Sequence, residues 1–113
     1  PGADVQTQAM LQVLLNIVDF NIPLQEAVEL PRFASYDAPD SFEPHQYQRR
    51  LLKIEEDVNN QVRETLVDYG HLVESWPRHT WKAGAVCAIL DQSSPRLLSG
   101  AADPRRPCLA LGF

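Results

Sequence analysis

The stretch Asp4-Val5-Gln6-Thr7-Gln8-Ala9-Met10-Leu11-Gln12-Val13-Leu14-Leu15-Asn16-Ile17-Val18-Asp19-Phe20 carries a single helical rhythm. Apolar residues at 10, 11, 14, 17 and 18 recur as on one face of an α-helix, and Val13 and Leu15 widen that face. So broad a stripe predicts a long helix packed on more than one side. Asp4 is placed as its N-cap, where a carboxylate accepts from the free amides of the first turn. Asn21 and Pro23 end this helix and start a short second one, with Pro23 at a position where its missing N–H costs nothing. Leu30 precedes Pro31 and is pushed out of the helical region, which closes the second helix.

Beyond Pro31 the pattern shortens. Arg32–Ser35 and Leu51–Ile54 read as strands, separated by a turn-rich stretch containing Pro39 and Pro44. Asp57–Tyr69 reads as a helix with Val58, Val62, Leu66 and Tyr69 on its contact face and Gly70 as a left-handed cap. His71–Val73 is the next expected strand. Ala85-Val86-Cys87-Ala88-Ile89-Leu90 suits a strand buried on both faces. Gln92–Arg96 is expected to turn, and Leu97–Gly100 to return along it. Two helices followed by strands with one inserted helix make an α+β layered arrangement.

Composition narrows the function classes. The chain has 113 residues, 44% of them hydrophobic and 22% charged, which suits one core and no second domain. Its net charge is −5, and the only basic clusters are Gln48-Arg49-Arg50 and Pro104-Arg105-Arg106, so nucleic-acid binding is disfavoured. Apolar runs are broken too soon for a membrane span, as by Asn16 within residues 13–18. Cys87 and Cys108 lack a C-x-x-C spacing and could pair or stay free. The chain opens at Pro1-Gly2 without an initiator Met or a targeting signal, and reads as processed or as a piece of something longer.

Most chemical leads are weak. His45, His71 and His79 do not share the i, i+4 spacing of a helical metal site, and Ser35, Ser41, Ser93, Ser94 and Ser99 lack a nucleophile-elbow context. Trp76 and Trp81 bracket Pro77-Arg78-His79-Thr80, either as an aromatic binding edge or as a packed loop, with packing favoured. Glu55-Glu56-Asp57 reads either as a carboxylate cluster or, at a helix start, as a complement to the helix dipole, with the second favoured. Pro1 invites comparison with small tautomerases that use an N-terminal proline as a general base, but those open on a strand and this chain opens on a helix. The sharper lead is Pro1-Gly2-Ala3-Asp4. A small turn feeding a helix N-terminus presents free backbone N–H groups, the construction of an oxyanion hole, with a simple start of a helix as the plainer alternative.

Taken in order, several segments resemble the C-terminal part of the small subunit of γ-glutamyltranspeptidases. Pro1-Gly2-Ala3-Asp4 stands where that family has a Pro-Gly-Gly turn, and the helix with Leu11-Gln12-Val13-Leu14-Leu15-Asn16 follows. Gln25-Glu26-Ala27 with Pro31-Arg32-Phe33 is similar to its "EA…PRF" segment. Gly70-His71-Leu72-Val73 is similar to its "GH-x-V" step, and Gly100-Ala101-Ala102-Asp103-Pro104-Arg105-Arg106 to its "GASDPR" signature. The resemblance covers residues 1–113. It implies part of an N-terminal-nucleophile hydrolase αββα sandwich, here a long helix followed by antiparallel strands and one inserted helix. It further implies a precursor that cleaves itself into two subunits, and a freed threonine that attacks a γ-glutamyl amide and passes the acyl group to water or an acceptor amine.

No cofactor or metal is implied. The implied partners are the large subunit, the N-terminal part of the small subunit and a γ-glutamyl small molecule such as glutathione, with self-association expected of the isolated chain. In the family, the amides at the paired glycines form the oxyanion hole, and these positions correspond to Gly2 and Ala3. Alanine in place of the second glycine is expected to serve if its φ is negative. The family's histidine after PRF is absent, since Ala34-Ser35-Tyr36 follows here, and the Trp76–Trp81 stretch also departs. Those departures leave the acyl group open, a cephalosporin side chain included. The family's catalytic threonine lies upstream. Thr7, Thr65 and Thr80 are internal and offer no free α-amine, so the polypeptide alone is expected to be inert. A free-standing, non-catalytic domain that binds a partner through its long helix is the alternative from another class.

Overall fold

Helix α1 runs from Val5 to Val18 and is covered on one side only. Its buried residues are Val5, Ala9 and Val13, with Ile17 packing at the end of the same row. This row lies one residue back from the expected stripe, because the small side chains at 9 and 13 let the helix approach its neighbours closely. Met10, Leu11 and Leu14 are more than half exposed, as are Val18 and Phe20. The expected packing on more than one side is thus not met within this chain's described residues, none of which covers the second apolar side. The computed structural model describes residues 2–93 and 96–112.

Local signals account for most boundaries. Asn21 adopts a left-handed φ of 53° after α1, and Pro23 precedes α2 (Leu24–Glu29), its carbonyl accepting from the Ala27 amide at 2.8 Å. Leu30 is extended at ψ 146°, as a residue before proline should be. Helix α3 spans Asn60–Asp68, later than Asp57, because the Asn59 side chain caps it by accepting from Gln61 N at 2.8 Å. Gly70 at φ 91° ends it with paired bonds, Gly70 N–H to Val67 O at 2.8 Å and His71 N–H to Leu66 O at 3.0 Å. Its expected contact face is poorly covered: Val62 and Tyr69 are exposed.

Strands β1 (Phe33–Ser35), β2 (Leu51–Glu55) and β3 (Leu72–Trp76) form one sheet in that order. β1 and β2 are antiparallel, with Ala34 opposite Lys53. β2 and β3 are parallel, with Lys53 opposite Glu74, which corrects the expectation of uniformly antiparallel strands. α3 carries the chain back to the starting end of the sheet, and such a crossover makes the next strand parallel. β4 (Ala88–Ser93) and β5 (Arg96–Ala101) form an antiparallel hairpin. Of the turn expected over Gln92–Arg96, Gln92, Ser93 and Arg96 belong to the strands, while Ser94 and Pro95, like Pro1, lie outside the described residues.

The apolar run 85–90 is not one doubly buried strand. Residues 84–87 are irregular, and the Val86 amide donates to Asp103 Oδ2 at 2.8 Å instead of joining a ladder. Ile89 is 78% exposed, because the two-stranded sheet has a bare face.

Glutamine side chains replace missing strand partners. On the free edge of β1, Gln8 accepts from Ser35 N at 2.8 Å and donates to Ser35 O at 3.0 Å. Gln12, one turn later, does the same for Phe33 at 3.1 and 2.9 Å. A carboxamide offers the donor and acceptor of a peptide group, so α1 closes an otherwise open sheet edge. Gln25 repeats the device on Ala102. Two small cores result. Val5, Ala34, Trp76 and Ala83 cluster with Tyr36 below the start of α1, and Val13, Val28 and Ala101 cluster between α1, α2 and the hairpin. No helix among the described residues is long and apolar enough to cross a membrane.

Candidate functional site

The residues before α1 form a strained turn. Gly2 has φ 115° and Ala3 φ 45°, and their carbonyls accept from Val5 N at 2.8 Å and Gln6 N at 3.0 Å. Among the described residues, neither the Gly2 nor the Ala3 amide donates a hydrogen bond. Both residues line a cavity of about 740 Å³, together with Tyr36, Ser41, Phe42 and Trp81. The sequence condition that Ala3 keep a negative φ is not met. Left-handed geometry costs a non-glycine residue about 1–2 kcal/mol, which is the physical reason for a second glycine at this step. Ala3→Gly is accordingly expected to raise stability by roughly 0.5–1 kcal/mol after the entropy of a freer unfolded chain is deducted, read from the urea midpoint of the full-length protein.

Asp4 does not cap the helix. Its backbone is already helical, at φ −66° and ψ −12°, and its side chain makes no capping bond. Its carboxylate instead accepts from the Ser41 amide at 2.8 Å and from the Ser41 hydroxyl. These two bonds, the hydroxyl first, hold the Asp4 carboxyl below its ordinary pKa.

Below the turn lies a buried charge network that sequence reading did not anticipate. Arg32, Glu55, Asp103 and Arg105 are each at most 5% exposed. Arg32 Nη2 reaches Asp103 Oδ2 at 2.7 Å, and Arg105 Nη1 reaches Asp103 Oδ1 at 3.2 Å. Arg105 Nε donates to Glu55 Oε1 at 2.9 Å, and Arg105 Nη2 also pairs with Glu55 Oε2. Two cations face two anions, and backbone groups satisfy further valences. Arg32 N and Thr80 N donate to Glu55 at 2.8 and 3.1 Å, while Val28 O and Leu30 O accept from Arg105 at 3.1 and 2.9 Å.

The PRF and DPR motifs thus meet in space. Their signal in the sequence was the motif itself, while the partner Glu55 was visible only as one of three adjacent acids, with nothing to tie it to either motif. The network also reaches the turn: Arg32 Nη1 donates to Gly84 O at 3.3 Å, and a Cβ placed on Gly2 would stand 3.0 Å from Gly84 Cα. The turn rests on backbone that Arg32 holds from beneath.

The remaining candidates disperse. Trp76 is buried, with Tyr36 edge-on to it at 6.3 Å and 80°, whereas Trp81 is 55% exposed on the cavity wall with Arg106 over its ring at 5.3 Å. The packing reading holds for the first tryptophan and the edge reading suits the second. Glu55-Glu56-Asp57 does not serve a helix dipole, since Glu55 is in the network, Glu56 accepts from Arg78 N at 3.1 Å and Asp57 pairs with Arg78 at 3.1 Å. Both basic clusters dissolve similarly: Arg105 is buried, and Arg50 Nη1 turns to Gly70 O at 3.5 Å. His45 lies beside Glu43 at 3.4 Å. Among the described residues no three His, Cys, Asp or Glu side chains are grouped as metal ligands would be. Cys87 and Cys108 are free thiols. Local desolvation and then the neighbouring Cys87 thiol push Cys108 above the usual thiol pKa.

Comparison with known proteins gives a consistent picture. A family model described as gamma-glutamyltranspeptidase matches residues 1–113. No curated protein matches the chain significantly. Among solved structures it is similar to LmbA2991HD, at 29% identity and a TM-score of 0.83 over 93% of this chain and 19% of that one. It is also similar to the gamma-glutamyltranspeptidase from Pseudomonas nitroreducens complexed with L-DON, at 23% identity and a TM-score of 0.76 over 100% of this chain and 52% of that one. The cephalosporin acylase from Bacillus halodurans matches at 23% identity and a TM-score of 0.74, over 92% of this chain and 17% of that one. The chain therefore spans between about a sixth and about half of these three structures.

Proposed function

Because the chain belongs to the γ-glutamyltranspeptidase family, we propose that it is the C-terminal segment of an N-terminal-nucleophile hydrolase or transferase acting on γ-glutamyl amides. Its chemical contribution is the Gly2 and Ala3 amides, which stabilise the oxyanion of the acyl-transfer intermediate. A threonine supplied by a part of the protein outside these 113 residues attacks the amide carbonyl. Its hydroxyl proton goes to its own α-amine, and a C–O bond forms as the carbonyl oxygen takes on negative charge. Collapse breaks the C–N bond and the amine leaves with that proton. Water or an acceptor amine then releases the acyl group by the reverse sequence. Two donors aimed at the developing charge are worth about 3 kcal/mol each when lost singly, so small residues at this turn matter for rate.

The single observation that carries the reading is the pair of positive-φ residues on the cavity wall whose amides donate no hydrogen bond among the described residues, at the position of the family's glycine turn. The exposed side of α1, together with Ile89, Leu97 and Leu98 on the hairpin, supports the remainder of the same enzyme as the chain's partner. A second acyl group, bulkier and more apolar, is favoured by Tyr36, Phe42 and Trp81 around the cavity.

The full-length protein is expected to cleave a chromogenic γ-glutamyl anilide, and the 113-residue piece to show no turnover and to self-associate on sizing. Turnover by the piece alone would overturn the assignment of the nucleophile elsewhere. A compact, protease-resistant monomer would instead favour a free-standing interaction domain.

A further inference from the structure

An aspartate just before a helix ordinarily folds its carboxylate back onto the first amides. Asp4 cannot, because its own backbone is already helical and aims the side chain away from them. It reaches instead across the cavity rim to the loop between β1 and β2, where both of its oxygens engage Ser41. That loop is braced from within. Asp40 N donates to Gln46 O at 3.0 Å, Phe42 N to Asp40 Oδ1 at 3.1 Å, Gln48 N to Tyr36 O at 3.2 Å and Arg50 N to Asp37 Oδ1 at 2.9 Å. A loop so tied can serve as an anchor. The turn it anchors needs one, since a left-handed alanine persists only where its surroundings over-determine it. From below, Gly2 is set against Gly84. From above, the contact is Asp4 to Ser41.

We infer that the Asp4–Ser41 pair is a clasp that holds the Gly2–Ala3 turn in its donor-presenting shape, making Asp4 a positioning residue for acyl transfer. The inference rests on the oxyanion reading of Gly2 and Ala3. Because the oxyanion exists only along the reaction, loosening the turn lowers kcat and leaves KM nearly unchanged.

The test compares Asp4→Ala with Asp4→Asn in the full-length protein. Alanine removes both bonds, whereas the asparagine carboxamide can accept from the Ser41 amide and donate to the Ser41 hydroxyl oxygen. Asp4→Ala is expected to lower kcat about 10- to 100-fold with KM within about threefold, and Asp4→Asn to recover kcat to within about threefold of the parent. Hydrogen exchange of the Val5 and Gln6 amides, which bond the Gly2 and Ala3 carbonyls, reads the turn without reference to activity. It should speed up in Asp4→Ala and not in Asp4→Asn. Unchanged exchange in Asp4→Ala overturns the clasp and leaves the oxyanion reading untouched. Faster exchange with unchanged kcat overturns the oxyanion reading, and this inference with it. Equal loss in both variants would assign the effect to the carboxylate charge and overturn the clasp.

Discussion

Replacing Arg105 with alanine is expected to cost the full-length protein about 3–5 kcal/mol, a large fraction of the roughly 5–15 kcal/mol by which a typical domain is stable. The reason is the imbalance left behind. Arg105 spans Glu55 and Asp103, and both carboxylates remain buried when it is removed, with backbone amides and Arg32 as the remaining buried cation to answer two negative charges. Lysine should not rescue, because a point charge cannot reproduce the bonds that the guanidinium makes at once to Glu55, Asp103, Val28 O and Leu30 O. Removing both members of one pair, as in Arg105→Leu with Glu55→Leu, should recover part of the loss, since a buried pair replaced by apolar side chains is often close to neutral.

The measurement is the denaturant midpoint of each variant. A loss under about 1 kcal/mol for Arg105→Ala would mean that water reaches the network in solution.

The network also sets the response to acid. Burial by itself would raise the Asp103 carboxyl, but the Arg105 and Val86 amides and then the two guanidinium ions outweigh it, so its pKa falls below the ordinary value. A depressed carboxylate contributes stability that is present above its unfolded pKa of about 4 and lost as pH falls through the folded value. Unfolding in acid should therefore steepen below about pH 4, and Asp103→Asn should blunt that slope while lowering stability at neutral pH.

Gly2→Ala is expected to lower kcat of the full-length protein about 100-fold or more, with far less effect on KM. Two independent constraints act at this position. A φ of 115° disfavours any Cβ, and the added methyl would stand 3.0 Å from Gly84 Cα and 3.6 Å from Gly84 N. Backbone cannot step aside as a flexible side chain would, least of all backbone whose carbonyl Arg32 holds at 3.3 Å. The turn must shift, and its amides with it. A folded Gly2→Ala protein that keeps kcat within about threefold would remove this turn from the reaction. Paired with Ala3→Gly, which should stabilise the same turn, the variants separate backbone strain from loss of donors.

Much of this molecule is legible residue by residue along the chain. The helix from Val5, the break at Asn21–Pro23, the stop before Pro31 and the glycine cap at 70 follow from proline, glycine and helical periodicity. The motifs that carried the family resemblance were likewise visible, together with the opening turn. What the motifs do was not. Arg32, Asp103 and Arg105 read as fragments of a signature, whereas Glu55 read as one of three acids near a helix start. Only folding set the four together away from solvent. Asp4 offers the same contrast, since its type suits a cap but its φ and ψ send it to Ser41.

The sequence by itself determined the order of the main elements, the breaks around α1 and α2 and the stop of α3, because those choices are settled by sterics and hydrogen bonding within a few neighbouring residues. The tertiary structure alone decided which side of α1 is covered, which charges are buried together, and how an alanine comes to hold a glycine's backbone angle. Solvent exclusion and the close approach of distant segments belong to contacts between parts of the chain, and no local stretch encodes them.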